Sequence, residues 1–266
     1  MEGFCKLPRE ITDRFINFAT GPGGIPGGNP DGKLWFCGIE FGKVDPNEPI
    51  YYYLYLDPSS GVPCWTEKFK NKYHHTNKEL GKNYTIWQFN QKQAKIARAY
   101  MTGSLDGWYD YLKDRFYAHD GETFGVNLYP LAFHDVSDDL WSKAHYRETG
   151  FPSKTEYMAW CSQHRFPKLK QRLTKHSPKA LVCTGNAFKR MFLLAFADSI
   201  DQIFDDKINE RPVYTRRGNP VNVEWLYINS GKTLMVITPF LGRGGLMSDA
   251  SLMELAKLLR EKTAAR

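Results

Sequence analysis

Two kinds of hydrophobic pattern follow one another along the chain, and together they predict strands that alternate with helices. Short apolar runs bounded by glycine, proline or polar residues are typical of buried strands, and they cover residues 34–39, 123–128, 180–183 and 233–237. Apolar residues spaced three and four apart predict amphipathic helices at residues 8–19, 85–100, 105–117, 154–175, 187–196 and 248–262. This alternation predicts an α/β fold, a three-layer α/β/α sandwich around a mainly parallel central sheet.

Glycine, proline and serine mark where the predicted elements begin and end. The glycine-rich segment 21–24 ends the first helix, and Pro167 predicts either a start or a kink within the helix at 154–175. Residues 213–228 have the pattern of a hairpin that turns at 218–220, and Ser248 is the expected N-cap of the last helix.

The 266 residues show no internal repeat and no linker, so we expect one domain over residues 1–266. It comprises an N-terminal helix and Gly/Pro-rich loop at 1–33 and a basic, aromatic insertion at 57–83. Because no run of about 18 apolar residues occurs and residues 1–20 carry charges throughout, we expect neither a membrane span nor a signal peptide. A cytoplasmic monomer is the expectation. The five cysteines form no C-x-x-C pair, which favours free thiols over a zinc or iron–sulfur site and predicts no cofactor.

Basic residues concentrate in two segments of a chain whose net charge is +7. Residues 64–98 hold eight bases against two acids, and residues 163–190 hold eight bases and no acid. Such segments suit a polyanionic partner, although solvated helix faces would have the same composition. Aromatic residues interleave with the bases of the first segment, which favours a nucleic acid as partner.

Candidate chemistry follows from the ends of the predicted strands, since open α/β sheets bind ligands beyond the carboxyl ends of their strands. This rule selects residues 38–42, 127–134, 184–186 and 238–245. The first of these segments contains Glu40, whose position is explained either by a catalytic role or by a salt bridge to Lys33 or Lys43.

The four segments, in this order, resemble the motifs of the uracil-DNA glycosylase superfamily. Gly38-Ile39-Glu40-Phe41-Gly42 is similar to the family's Gly-x-(Asp or Asn)-Pro-(Tyr or Gly), and Val126-Asn127-Leu128-Tyr129-Pro130 to its strand that ends in a base-reading Asn. The segment 181–187 looks like the strand, Gly and helix that follow in the family. The segment 238–245 resembles the family's (His or Asn)-Pro-Ser and the loop that enters the minor groove. The resemblance covers residues 34–259.

The resemblance implies a role for each matching residue. Glu40 matches the catalytic carboxylate or amide, and Thr238 matches the second catalytic position. The residues that would surround the extruded base are Gly38, Ile39, Phe41, Gly42, Asn127 and His134. The residues that would contact DNA are Gly185, Asn186, Phe240, Leu241, Gly242, Arg243, Gly244 and Gly245. Phe240 or Leu241 would act as an apolar wedge, and the amides of Gly242, Gly244 and Gly245 would approach phosphates.

The residue types fit the chemistry of breaking an N-glycosidic bond. A carboxylate at Glu40 can stabilise the positive charge that develops on the deoxyribose, and it can orient or deprotonate the attacking water. The amide of Asn127 can pair with a base edge, although asparagine is also common in turns. His134 can donate to the base or to a phosphate, and a surface histidine is an equal alternative.

Three features of the sequence fit a bulky, polar modified base: Gly42, the polar insertion at 57–83 and the absence of the usual His at Thr238. Gly42 stands where the strict uracil enzymes have a Tyr that excludes substituents on carbon 5, as in the mismatch-type branch of the family. Two residues depart from the family pattern, since Phe41 replaces the usual Pro and Thr238 replaces the usual His or Asn. The resemblance therefore implies a DNA glycosylase that needs no cofactor and removes a 5-modified pyrimidine, with glucosylated hydroxymethylcytosine of phage DNA as the candidate and antiphage defence as the role.

Other functions stay open at this level. A uracil or mismatch repair glycosylase would share the motifs, and a noncatalytic nucleic-acid-binding protein would need only the basic and aromatic residues. A nucleotide or sugar hydrolase would keep Glu40 but would not show a steep salt dependence of binding. A metal-dependent nuclease would need clustered acids, for which Asp135, Asp138 and Asp139 are the candidates.

Overall fold

The computed structural model describes residues 11–21, 23–42, 88–133, 141–204, 208–214, 218–242, 245–246 and 248–264. The helices in this part of the chain are α1 (Asp13–Thr20), α2 (Gln88–Thr102), α3 (Trp108–Asp114), α4 (Lys143–Thr149), α5 (Lys154–His164), α6 (Phe166–His176), α7 (Lys189–Phe196), α8 (Ile200–Phe204) and α9 (Asp249–Ala264). The strands are β1 (Gly27–Gly28), β2 (Leu34–Gly38), β3 (Phe41–Gly42), β4 (Thr123–Asn127), β5 (Ala132–Phe133), β6 (Ala180–Thr184), β7 (Asn209–Tyr214), β8 (Pro220–Ile228) and β9 (Thr233–Thr238).

Seven of these strands form one sheet in the order β1-β4-β2-β6-β9-β8-β7. The neighbours β4, β2, β6 and β9 are parallel to one another, whereas β1, β8 and β7 pair antiparallel to their neighbours. The predicted α/β class is confirmed, and the sheet is mixed, with a parallel centre and antiparallel flanks. A separate pair of short parallel strands, β3 and β5, lies just beyond the carboxyl ends of β2 and β4.

Both faces of the sheet are covered by apolar side chains from the helices. Trp35 and Cys37 of β2 belong to a core that includes residues of α1, α5, α6 and α7. Leu34 and Phe36 point the opposite way and belong to a second core, with residues of α2, α3 and α9. Successive strand side chains point to opposite faces, so a strand covered on both faces must be apolar at every position, as β2 is.

The long helix predicted at 154–175 consists of two helices, α5 and α6, which meet at Arg165. Pro167 lies in the first turn of α6, where its missing N–H costs no helical hydrogen bond. The predicted hairpin is confirmed by the antiparallel pairing of β7 with β8. Ser248 caps α9, because its Oγ accepts a hydrogen bond of 3.2 Å from the Ser251 amide.

Several predictions concern other parts of the chain. The insertion 57–83 lies outside the described residues, as do Cys5 and Cys64. The described cysteines, Cys37, Cys161 and Cys183, are free and buried. Among the helices of the described part, none is long and apolar enough to cross a membrane.

Candidate active site at the carboxyl edge of the sheet

The four segments selected from the sequence follow four adjacent strands. Because β4, β2, β6 and β9 are parallel neighbours, their carboxyl ends lie along one edge of the sheet. Gly38 is paired with Asn127 across β2 and β4, and Thr184 is paired with Thr238 across β6 and β9. Residues that are up to 200 positions apart in the sequence therefore meet at this edge.

Gly38 and Asn127 are in direct contact. The buried side-chain amide of Asn127 lies so close above Gly38 that a Cβ at position 38 would collide with its Oδ1 atom. The chain then continues in register, with the amides of Leu128 and Tyr129 donating to the carbonyls of Gly38 and Ile39 at 3.0 and 2.8 Å. Glycine at position 38 is thus required for the Asn127 side chain to reach across the end of β2.

Glu40 forms a buried ion pair with Lys154. Glu40 Oε1 lies 3.5 Å from Lys154 Nζ, and the two side chains are only 7% and 2% exposed. The salt-bridge alternative considered from the sequence named different partners, and the structure corrects it: Lys33 pairs with Glu122 at 3.4 Å, and Lys43 lies outside the described residues. Lys154 is the first residue of α5, which follows the N-cap Ser153.

Aromatic side chains surround this ion pair. Lys154 Nζ lies 4.0 Å from the ring centroid of Phe133, on which His145 stacks at 5.0 Å. Burial raises the pKa values of Tyr129 and Tyr157 above the ordinary phenol range, and the charge of Glu40 adds to both shifts. Both phenols are therefore neutral at physiological pH, and the carboxylate lies in an environment of low polarity.

Arg165 holds the chain just after β4. Its buried guanidinium donates from Nη2 to the Asn127 carbonyl and from Nε to the Leu128 carbonyl, both at 2.8 Å, and it also binds the Ala19 carbonyl. Burial lowers the pKa of Arg165 to about 10, which still leaves the side chain charged at neutral pH. The backbone that carries Asn127 is thereby linked to both α1 and the junction of α5 with α6.

Thr238, the second predicted catalytic residue, lies at the end of β9. The residue is 0% exposed, and its Oγ1 donates to the Pro239 carbonyl at 2.9 Å. Its hydroxyl is enclosed in the turn after β9, as Glu40 and Asn127 are enclosed at the ends of their strands, and its catalytic role stays a prediction. The amide of Gly185, a residue with φ of +119°, donates to the Thr238 carbonyl at 2.8 Å.

Two adjacent residues of the loop after β9 differ in exposure. Phe240 is 55% exposed and stacks on Phe89 of α2, with 5.6 Å between ring centroids. Leu241 is 1% exposed and belongs to the second core, which corrects its predicted role as a wedge. Lys92 of α2 fastens the loop by donating to the Leu241 carbonyl at 3.1 Å.

Two further residues that were predicted to contact DNA, Gly245 and Asn186, have hydrogen-bonding atoms directed at carbonyls of the protein. The Gly245 amide donates to the Gly242 carbonyl at 3.0 Å inside the loop, so it does not present its N–H to a phosphate as predicted. Asn186 is exposed, and its Nδ2 atom lies 3.3 Å from the Asn222 carbonyl. Its side chain can still be reached from solvent at the edge of the sheet.

Other predicted site residues are described only in part. His134, Arg243 and Gly244 lie outside the described residues. For Phe41 and Gly42 the backbone is described: both lie in β3 and pair with Ala132 and Phe133 of β5. Within the described ranges no cluster of three His, Cys, Asp or Glu side chains could hold a metal, and the acids at 135, 138 and 139 lie outside those ranges.

Three of the eight bases in the segment 163–190 have partners inside the protein. Arg165 is buried, Lys170 donates to a backbone carbonyl, and Lys189 forms an ion pair with Glu224. These bases have partners inside the protein, so the count of positive charges in the sequence overstates the charge that this segment offers to a polyanion.

The most important residue that the sequence analysis missed is Lys154. Its only signal in the sequence is its place directly after the capping Ser153, where a cation opposes the helix dipole. Arg165, Phe89 and Lys92 were also missed as parts of the site, because their contacts join segments distant in the chain.

The comparisons with known proteins do not assign the chain to a family. No protein-family model matches it, and no curated protein is significantly similar to it.

Proposed function

We propose that the protein is a DNA glycosylase that hydrolyses the N-glycosidic bond of an extruded pyrimidine and leaves an abasic site. The observation that carries the proposal is that Glu40 and Asn127 lie at the ends of paired parallel strands, where Asn127 contacts Gly38, two residues before Glu40. The apolar cores on both faces of the sheet support the three-layer α/β/α arrangement of the uracil-DNA glycosylase type. The exposed Phe240 beside this edge supports binding to an opened base stack.

The proposed reaction assigns different tasks to the two residues. As the bond between the base and C1′ breaks, its electron pair moves to the base and positive charge develops on the sugar. The carboxylate of Glu40 stabilises that charge and accepts a proton from the water that adds to C1′. The Asn127 amide binds the polar edge of the departing base.

The proposed substrate is a pyrimidine with a bulky 5-substituent, with glucosylated hydroxymethylcytosine of phage DNA as the first candidate, and the proposed role is antiphage defence. Gly42 supports this choice, since it leaves room at the position where the strict uracil enzymes carry an excluding ring. Removal of such a base would leave abasic sites in phage DNA and not in unmodified host DNA.

The decisive experiment incubates the purified protein with DNAs that carry uracil, a thymine mismatch, hydroxymethylcytosine or glucosylated hydroxymethylcytosine, and scores alkali-labile abasic sites. We expect cleavage of the modified DNA only. Glu40→Gln should lower single-turnover excision by roughly 10² to 10⁴-fold, the range for a positioned acid–base or electrostatic group, with DNA affinity nearly unchanged. If this variant excises the base at the wild-type rate, Glu40 takes no part in the reaction.

The buried Glu40–Lys154 ion pair also favours a second candidate, a noncatalytic DNA-binding protein in which the pair only stabilises the end of β2. Such a protein would bind the same DNAs without forming abasic sites. Activity on uracil or on mismatched thymine alone would instead identify a repair glycosylase.

A further inference from the structure

We infer that Lys154 is a positioning residue of this site, which holds the Glu40 carboxylate in place and in its charged form. The inference rests on the proposed function and deepens it, because it names the group that would make Glu40 competent. It starts from the 3.5 Å contact between Lys154 Nζ and Glu40 Oε1.

The position of Lys154 is unfavourable in itself. As the first residue of α5 it places a cation where the helix dipole favours an anion. Its side chain is also only 2% exposed, so the ammonium has lost most of its hydration. A carboxylate at 3.5 Å offsets both costs, which explains why the two charges are buried together.

Glu40 depends on Lys154 in turn. Burial of a carboxyl group favours its neutral form, and a nearby cation favours the charged form. A neutral Glu40 could neither stabilise a sugar cation nor accept a proton from water. The chemistry assigned to Glu40 therefore requires a cation at the position that Lys154 occupies.

The geometry restricts where the ammonium can lie. Lys154 Nζ contacts the carboxylate on one side and lies over the Phe133 ring at 4.0 Å. The phenols of Tyr129 and Tyr157 are titratable groups that face Glu40 from the described elements. His145 lies one ring further away, stacked on Phe133. Lys154 contributes a cation that forms an ion pair with Glu40.

The test measures single-turnover excision between pH 4 and pH 9.5 for the wild type and for Lys154→Met, which keeps the apolar length and removes the charge. Loss of the cation should raise the pKa of Glu40, so the midpoint of the acidic limb should move from near or below about pH 4.3 in the wild type to about pH 7. The rate at pH 6 should then fall about tenfold, and the rate at pH 9 should stay within about threefold of the wild type.

Three variants serve as controls. Lys154→Arg keeps a cation and should restore the wild-type midpoint. Lys170→Met removes a different partly buried lysine, one that donates to the Ala197 carbonyl, and should leave the midpoint unchanged. The inference would be overturned if the midpoint of the acidic limb changed in His145→Gln and did not change in Lys154→Met.

A second measurement needs no catalytic activity. Carbon-13 titration of the Glu40 carboxyl in the wild-type protein, assigned with Glu40→Gln, should give a pKa near or below the ordinary glutamate value of about 4.3. A pKa above about 6 would overturn the inference even if the protein excises bases. If no DNA of the panel is cleaved, the proposed function fails, and the titration alone decides whether Lys154 keeps Glu40 charged.

Discussion

At the scale of single residues, the choice of substrate depends on Gly42. The residue lies in β3, where it pairs with Phe133 of β5. Glycine tolerates a positive φ that other residues rarely adopt, so a substitution at position 42 is read together with a measurement of stability. A side chain introduced at this position tests the proposed pocket.

Gly42→Tyr should abolish excision of a 5-modified pyrimidine and spare or create activity on uracil, because the phenol ring would occupy the space of the 5-substituent. The measurement is the single-turnover rate on both DNAs, accompanied by thermal melting to show that the variant is folded. If a folded Gly42→Tyr protein removes the bulky base at the wild-type rate, the 5-substituent of the base does not lie beside residue 42. Gly42→Ala is the matched control and should keep the wild-type activity on each of the two DNAs.

At the scale of elements, the contact between α2 and the loop after β9 determines which loop residue faces solvent. Phe89 stacks on Phe240, and Lys92 binds the Leu241 carbonyl. The loop is thereby fastened by its backbone and by one aromatic ring, with the exposed Phe240 beside the carboxyl edge. Adjacent residues of one loop consequently have opposite environments.

Because the two side chains lie in different environments, we expect a substitution of Phe240 to change DNA binding and a substitution of Leu241 to change stability. Phe240→Ala should weaken binding and slow excision of the extruded base by roughly tenfold, the loss of about 1 to 3 kcal/mol of aromatic stacking, with little change in melting temperature. Leu241→Ala should lower the free energy of unfolding by about 2 to 5 kcal/mol, because it opens a cavity in the second core. Urea unfolding and a DNA-binding titration on both variants separate the effects. An unchanged affinity for Phe240→Ala would exclude it as a wedge.

At the scale of the whole molecule, the two cores bury ionisable groups. This burial predicts that the free energy of unfolding falls at alkaline pH. Burial raises the pKa of the Cys161 thiol from 9.0 to about 12, and that of Tyr111 from 10.0 to about 12. A group with a raised folded pKa contributes stability that is complete below its unfolded pKa and is lost as pH rises toward the folded value. The loss should therefore begin near pH 9 for the thiol and near pH 10 for the phenol.

Urea unfolding at pH 7, 8, 9 and 10 tests this expectation. Wild-type stability should be constant up to about pH 8 and then fall, and Cys161→Ala should lose about 1 kcal/mol less than the wild type between pH 8 and pH 10. Cys183, whose pKa is also raised by burial, should contribute to the remaining loss. Equal losses in the two proteins would mean that the thiol is accessible to solvent in the folded state.

The sequence alone determined the elements whose signal is local. Strands buried on both faces, such as β2 and β6, are apolar at nearly every position, so short apolar runs located them to within a residue or two. The alternation of strands and helices along the chain predicted the α/β class, and the turn residues at 218–220 predicted the hairpin. The placement of candidate residues after strands followed from the same local pattern.

Only the tertiary structure decided which of those residues meet and which are enclosed. The guanidinium of Arg165 binds carbonyls of α1 and of the segment after β4, contacts that no periodicity reveals. Leu241 and Thr238 read as loop residues in the sequence, yet packing and a local hydrogen bond enclose them. The partner of Glu40 is 114 residues away at Lys154, since the fold brings the start of α5 to the end of β2. Local patterns specify secondary structure, whereas burial and ion pairing depend on the arrangement of the whole chain.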